Sequence, residues 1–257
     1  MKQPVMIGGG KLTKPAAARG GATALPAEGV TLAVLIGYCE MGIEVSKKEN
    51  KWGKFPKQQP ATLTFALISP KHLELDEAGN IKRYKLVYVN VNETYGEKSM
   101  YMTLMNALDY AKSNRHVSEM IGELFKVEVV HNVVGSKTYA NLHNGAAWLI
   151  WAPRNVDPIT DNVTTLKIPA TFNEPTHLFL YEKNVTDESY LEMWDSVFVD
   201  GVRGNGSSAN WRQERIMNSQ EWRVSRIREL VDNRKERSTA PTSPPSPSTP
   251  EPPEEVW

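Results

Sequence analysis

The 257-residue chain has a single cysteine, Cys39, so no disulfide can form within it. With only five scattered histidines, a Cys-rich zinc module is excluded too, and a reducing compartment is the natural setting. Net charge is also missing, because 30 Lys+Arg balance 30 Asp+Glu. Long apolar runs are absent: the most apolar stretch, Val30–Ile36, is far short of a bilayer span, and the opening MKQPVMIGGGKLTK lacks the apolar segment of a signal peptide. These absences lead us to expect a cytoplasmic protein without membrane contact. At 40% hydrophobic residues, the chain can build one packed domain with appendages.

Recognisable catalytic patterns are lacking as well. Gly8–Gly10 and Lys11 resemble the end of a phosphate loop, but Leu12 stands where Ser or Thr is needed and no strand precedes them. Gly201, Gly204 and Gly206 have the wrong spacing for a dinucleotide fingerprint. Cys39 has no histidine in a motif with it and reads as a buried strand thiol. His131 and His143 flank a hairpin turn without an i, i+4 pair or accompanying carboxylates, and the acidic residues are too isolated for a two-metal nuclease. No enzyme activity, cofactor or metal is expected.

What is present is unevenly placed. Residues 1–60 carry nine lysines and arginines against four glutamates, whereas the last seven residues carry Glu251, Glu254 and Glu255 and no cation. A basic front with a tethered acidic tip suits a polyanion and a second partner. Residues 1–29 are rich in Gly and Ala without periodicity and read as a flexible arm. From Ser238 on, seven of the chain's 17 prolines crowd the last 20 residues, an extended, disordered tail.

Between them, residues 30–153 read as mainly β. Val30–Cys39 and Ala61–Ile68 alternate as strands, with a lysine-rich loop, Gly42–Pro60, between them. Ile81–Asn92 is a third strand. Thr94 and Glu97 form a capping-box pattern ahead of Tyr101, Leu104, Met105 and Leu108 at helical spacing. Phe125–Val129 and Tyr139–Ile150, around the turn at Val134–Ser136, supply a hairpin. This β-β-β-α-β-β order is that of the five-stranded Greek-key OB-fold barrel. Residues 154–237 then read as a helical extension packed on the barrel, with helices over Glu188–Phe198, Ser207–Asn218 and Ser219–Val231.

Aromatic and basic residues interleave where such a barrel holds its ligand. Trp52, Lys54, Phe55 and Lys57 sit in the loop between the first two strands, and Lys82, Tyr84, Lys85 and Tyr88 on the third. Cations there would neutralise phosphates while rings stack on unpaired bases. The bland alternative is that Tyr84 and Tyr88 face the core and the lysines are merely solvated. The end of the chain, Glu251, Glu254, Glu255, Val256 and Trp257, places a ring beside carboxylates, a ready ligand for a basic-rimmed apolar pocket on a partner.

Several segments together resemble the OB-fold single-stranded DNA-binding proteins of tailed bacteriophages. They are Val34–Gly42 (VLIGYCEMG), Ala61–Leu67 (ATLTFAL), Glu97–Ser99, Gly122–Asn132 (GELFKVEVVHN) and Lys137–Asn141 (KTYAN), with fainter likeness at Met193–Asp195 and Trp211–Ile216. The resemblance implies a non-catalytic protein that coats single strands during phage DNA replication, recombination or repair in the host cell cytoplasm. By position it implies a groove of Tyr38, Trp52, Lys54, Phe55, Lys57, Lys82, Tyr84, Lys85, Lys98 and Tyr139. It also implies a tail that recruits replication proteins such as a polymerase or helicase. The helical extension would brace the barrel, contact DNA through Arg212, Arg215, Arg223 and Arg226, or mediate self-association. The competing expectation, kept open by the zero net charge, is a protein-protein adaptor or structural phage protein on the same barrel.

Overall fold

The computed structural model describes residues 24–50, 52–157, 159–181, 184–202 and 206–239. Most of the expected arm, and the tail with Glu251, Glu254, Glu255, Val256 and Trp257, lie outside the described residues. In chain order the elements are β1 (Gly29–Glu40), β2 (Glu44–Val45), β3 (Lys57–Gln58), β4 (Pro60–Leu67), β5 (Leu73–Leu75), β6 (Ile81–Asn92), α1 (Met100–Leu108), β7 (Leu124–Val134), β8 (Lys137–Asn141), β9 (Ile150–Trp151), β10 (Arg154–Val156), β11 (Val163–Thr165), β12 (His177–Phe179), α2 (Asp187–Ser196), α3 (Trp211–Met217) and α4 (Arg226–Thr239). Among the described residues, no helix is long and apolar enough to cross a membrane.

The fold is mainly β, a strongly curled sheet in the order β5-β6-β4-β1-β7-β8. All of these neighbours are antiparallel. β1 sits at the centre and is buried on both faces, which explains why it is apolar at nearly every position rather than at every second one. Ala33 and Leu35 enter the main core, while Val34 and Ile36 enter a smaller one with Ala66, Ile68, Tyr84 and Leu124. Between Leu35 and Gly37 the pairing with β4 slips by one residue, a β-bulge. Strict alternation would leave Tyr38 on the face of Val34 and Ile36; the bulge turns it into the main core instead.

β7 pairs with β1 only as far as Val34, and the short parallel strand β12 takes up Gly37–Cys39 on the edge that β7 vacates. There the His177 ring lies directly on Gly37, where any Cβ would overlap it. The ring is buried, with Nε2 3.0 Å from Thr64 Oγ1. Burial, reinforced by the Arg212 guanidinium, holds its pKa well below the usual imidazole range.

α1 is capped by Ser99, whose Oγ accepts from the Met102 amide at 3.1 Å. The helix therefore starts later than the Thr94/Glu97 pattern suggests: the Ser99 hydroxyl donates back to the Thr94 carbonyl, and the segment between is a turn. Tyr101, Leu104 and Leu108 join the main core with Phe65, Met120 and Phe125. The strand expected over Tyr139–Ile150 is broken. β8 stops at Asn141, and Asn144 Oδ1 accepts from the Ala146 and Ala147 amides at 3.0 and 2.9 Å, closing a turn at Gly145 before β9.

Residues 154–186 are not helical as expected. They form the exposed β10–β11 hairpin and then β12, whose three buried residues are too few to show a period. Leu166, Ile168 and Phe172 cover the smaller core. α2 begins at Thr186, whose Oγ1 accepts from the Ser189 amide at 3.2 Å, with Asp187 and Glu188 favourably placed in its first turn. Its Tyr190, Met193 and Trp194 share one core with the sheet, together with Ile216, Trp222, Ile227 and Val231 from the elements that follow. Trp194 stacks on Trp222 at 4.8 Å.

Because the buried His177 ring occupies the space a Cβ at this position would take, Gly37→Ala is expected to lower the unfolding free energy by about 1–3 kcal/mol through overpacking. Urea denaturation measures this, and an unchanged midpoint would show that the ring is free to shift.

Candidate nucleic-acid interface

Beyond the short pairing with β5 at Ile81–Tyr84, β6 faces β8, the last strand of the sheet, and no ladder joins the two among the described residues. Over Lys85–Asn92, β6 pairs with β4 on one edge and leaves the other open. The gap is a groove of about 940 Å³. Its walls are β6 from Arg83 to Asn90, β8 from Tyr139 to Asn141 with the end of β7 at Asn132 and Val134, and Trp211 and Arg215 of α3. Met100, His143 and Trp148 also border it, and the segment Ala24–Pro26 crosses one side.

Alternation along β6 explains the rings on this wall. Val87, Val89 and Val91 point into the core, so Tyr88 and Asn90 point out. Tyr88 is 42% exposed and meets Trp211 edge to face at 6.2 Å. Beneath the pair lies the buried Arg212 guanidinium, 5.6 Å from the Tyr88 ring centre and 5.1 Å from that of Trp211. Arg212 Nη2 donates to Thr64 Oγ1 at 3.2 Å. On the opposite wall Tyr139 is 49% exposed. Trp148 is pinned by Nε1 donating to the Met100 carbonyl at 3.1 Å and to Thr103 Oγ1 at 3.2 Å. Asn90 Oδ1 accepts from the Thr62 hydroxyl at 2.7 Å, which leaves its amide protons to donate elsewhere. The groove thus offers flat rings from both walls and amide donors between them.

Of the residues proposed from sequence, Tyr84, Lys85, Tyr88 and Tyr139 line this groove. Tyr84 does so without an available ring, since it is buried against Phe172 at 5.0 Å. Tyr38 is a correction: fully buried, it donates its hydroxyl to Glu93 Oε1 at 2.6 Å and cannot stack on a base. Trp52, Lys54, Phe55 and Lys57 are exposed but do not line the groove. Asn50 Oδ1 folds their loop by accepting from the Trp52 and Lys54 amides at 3.0 and 3.1 Å. The loop's base does reach the groove wall, where Glu44 of β2 binds Arg215 through contacts of 2.6 and 2.9 Å. Lys82 and Lys98 are exposed away from the lining.

Of the arginines in the extension, Arg212 is buried, Arg215 and Arg226 are paired with Glu44 and Asp187, and Arg223 is exposed. Sequence reasoning missed Trp148, Trp211, Asn90 and Met100 as groove residues. A tryptophan in a polar stretch is the one signal that pointed to Trp211; Trp148 stands in the apolar run Gly145–Trp151 and carried none.

Cys39 is buried, and burial raises its thiol to about 12. Among the described residues, no group of three His, Cys, Asp or Glu is placed to hold a metal ion.

Burial raises the Glu93 carboxyl above its ordinary value and nearby Glu221 adds to this, while the bond from Tyr38 works the other way. Between the ordinary carboxylate value and the raised one, the folded protein keeps a proton that the unfolded chain has released. Stability from Glu93 is therefore full in acid and falls as pH rises through the raised value. Glu93→Gln keeps an acceptor for Tyr38 and removes the titration. The urea midpoint of the variant is expected to gain on the wild type from pH 4 to pH 7, and parallel profiles would contradict this reading.

Comparison with protein-family models, with curated proteins and with solved structures finds no match to this chain.

Proposed function

We propose that this chain is a sequence-nonspecific single-stranded DNA-binding protein built on an OB barrel, coating single strands in phage DNA replication, recombination or repair. The observation that carries the reading is the open groove between β6 and β8, with Tyr88 and Trp211 on one wall and Tyr139 and Trp148 on the other. A groove of this kind accepts unpaired bases, because every base has a face to stack, whereas a duplex hides those faces.

The pairing pattern supports the barrel assignment. With β1, β4, β6, β7 and β8 counted as strands one to five, the first pairs with the second and fourth, the second with the third, and the fourth with the fifth. The single helix α1 falls between the third and fourth. In OB-folds the face of strands two and three, with the loops joining one to two and four to five, is where oligonucleotides bind. Here the groove runs along the third strand to the hairpin joining the fourth and fifth. On this reading the protein acts in the host cell cytoplasm, and the acidic tail ending in Val256 and Trp257 recruits a polymerase or helicase.

A second reading, a protein-protein adaptor, has one observation in its favour. The β10–β11 hairpin exposes Val156, Val163 and, at 90%, Ile159 near its tip.

Fluorescence anisotropy with a labelled dT oligomer, an equal-length duplex and two salt concentrations tests the proposal. Tight, salt-sensitive binding to the single strand and much weaker binding to duplex are expected. Tyr139→Ala should weaken binding by about 5- to 150-fold, the range for one lost stacking contact. Trp151→Ala, exposed but outside the groove, should leave it unchanged. No binding at low salt, or equal binding to duplex, would overturn the proposal.

A further inference from the structure

Three polar side chains border the groove beside its rings, and each has an acceptor atom already used within the protein. Asn90 Oδ1 accepts from the Thr62 hydroxyl at 2.7 Å. Asn141 Oδ1 accepts from the Leu142 amide at 2.8 Å, and His143 Nδ1 from the Gly145 amide at 2.9 Å. A backbone amide can only donate, so the last two contacts fix which atom of each side chain is the acceptor. What remains is Nδ2 of Asn141 and, in the neutral ring, the protonated Nε2 of His143, both donors. The bond from Thr62 leaves Nδ2 of Asn90 in the same role.

Each donor stands beside one ring. Asn90 and Tyr88 are alternate residues on the outward face of β6. On β8, Ala140 packs on the core, so Tyr139 and Asn141 share the other face. Alternate residues on a strand are about 7 Å apart, roughly the distance from the middle of a stacked base, past its edge, to a hydrogen-bond partner. His143 lies against Trp148, with ring centres 4.8 Å apart. A base stacked on Tyr88 or Tyr139 can therefore turn an edge toward side-chain N–H groups. Thymine and guanine carry a carbonyl oxygen where cytosine and adenine carry an amino group. The carbonyl accepts from such a donor, whereas an amino group there sets two donors against each other and leaves both unsatisfied.

We infer that Asn90 and Asn141 bias the groove toward keto bases, thymine and guanine, over the amino bases cytosine and adenine, with His143 a third donor beside Trp148. The inference rests on the single-strand-binding reading and adds to it a graded base preference. Stacking admits every base, and the donors decide which is held more tightly.

The test is anisotropy titration of the full-length protein with labelled dT, dU and dC oligomers of equal length. The dU strand keeps the carbonyl of dT without its methyl group, so it separates the two contributions. Both dT and dU are expected to bind about 2- to 12-fold more tightly than dC, the range for one net hydrogen bond. Asn90→Asp and Asn141→Asp each keep the internal acceptor, for Thr62 and Leu142, and exchange the donors for a second acceptor. The added charge repels every strand alike, so the ratio of dT to dC affinity is the readout, and in each variant it should fall by a similar factor. Equal wild-type affinity for dU and dC would overturn the inference and leave single-strand binding standing, and this comparison holds whatever the substitutions do to folding. A ratio unchanged in both variants would overturn it too: equal losses on dT and dC would assign the donors to phosphates, and no loss would assign the preference to stacking. If the wild type binds none of the three strands, the single-strand reading fails and this inference with it.

Discussion

The contact of the His177 ring with Gly37 ties together the two halves of the molecule. It is possible only because a glycine follows the bulge in β1, and because β7 has already left that edge for β12 to occupy. Burial and the nearby Arg212 keep His177 uncharged. Its Nε2 can then accept from Thr64, whose hydroxyl oxygen in turn receives Arg212. Arg212 carries the line of contacts outward to the rings of Tyr88 and Trp211. One chain of neighbours thus runs from the central strand to the groove surface, and it fixes α3 against β6 without a carboxylate partner for the buried guanidinium in the contacts described.

The sheet's curl has a second consequence. With β1 bonded on both edges, the open edges lie at β8 and at the part of β6 beyond its pairing with β5, which face each other across the groove. An open edge is normally a liability. Here the gap is bordered by aromatic and amide side chains and by α3, and Ala24–Pro26 crosses part of it. A surface that is flat, aromatic and polar by turns suits a ligand with alternating rings and charges.

Much of the curled sheet was legible in the sequence. Val87, Val89 and Val91 alternate with Tyr88 and Asn90 cleanly enough to place β6, and the strand and helix order follows from such periods and from turn residues. The phase of β1 was not legible. A bulge adds one residue without changing composition, and Tyr38, which the resemblance placed in the groove, is turned into the core. Residues 154–186 were misread for a related reason: β12 has three residues, and only its docking beside β1 makes it a strand. The groove was half legible. Tyr88, Lys85 and Tyr139 carry local signals, but Trp148 and Trp211 are brought to it by a broken strand and a seven-residue helix, which are tertiary facts. Trp52 and Phe55 stand out by composition, yet their loop folds on Asn50 and meets the groove only at its base.

The central claim is that unpaired bases lie between β6 and β8. Ultraviolet crosslinking of the full-length protein to an oligo-dT, followed by mass spectrometry of the adducts, tests it most directly. The account predicts adducts at Tyr88, Tyr139, Trp148 or Trp211. Adducts confined to Trp52 and Phe55, or to the β10–β11 hairpin, would contradict it.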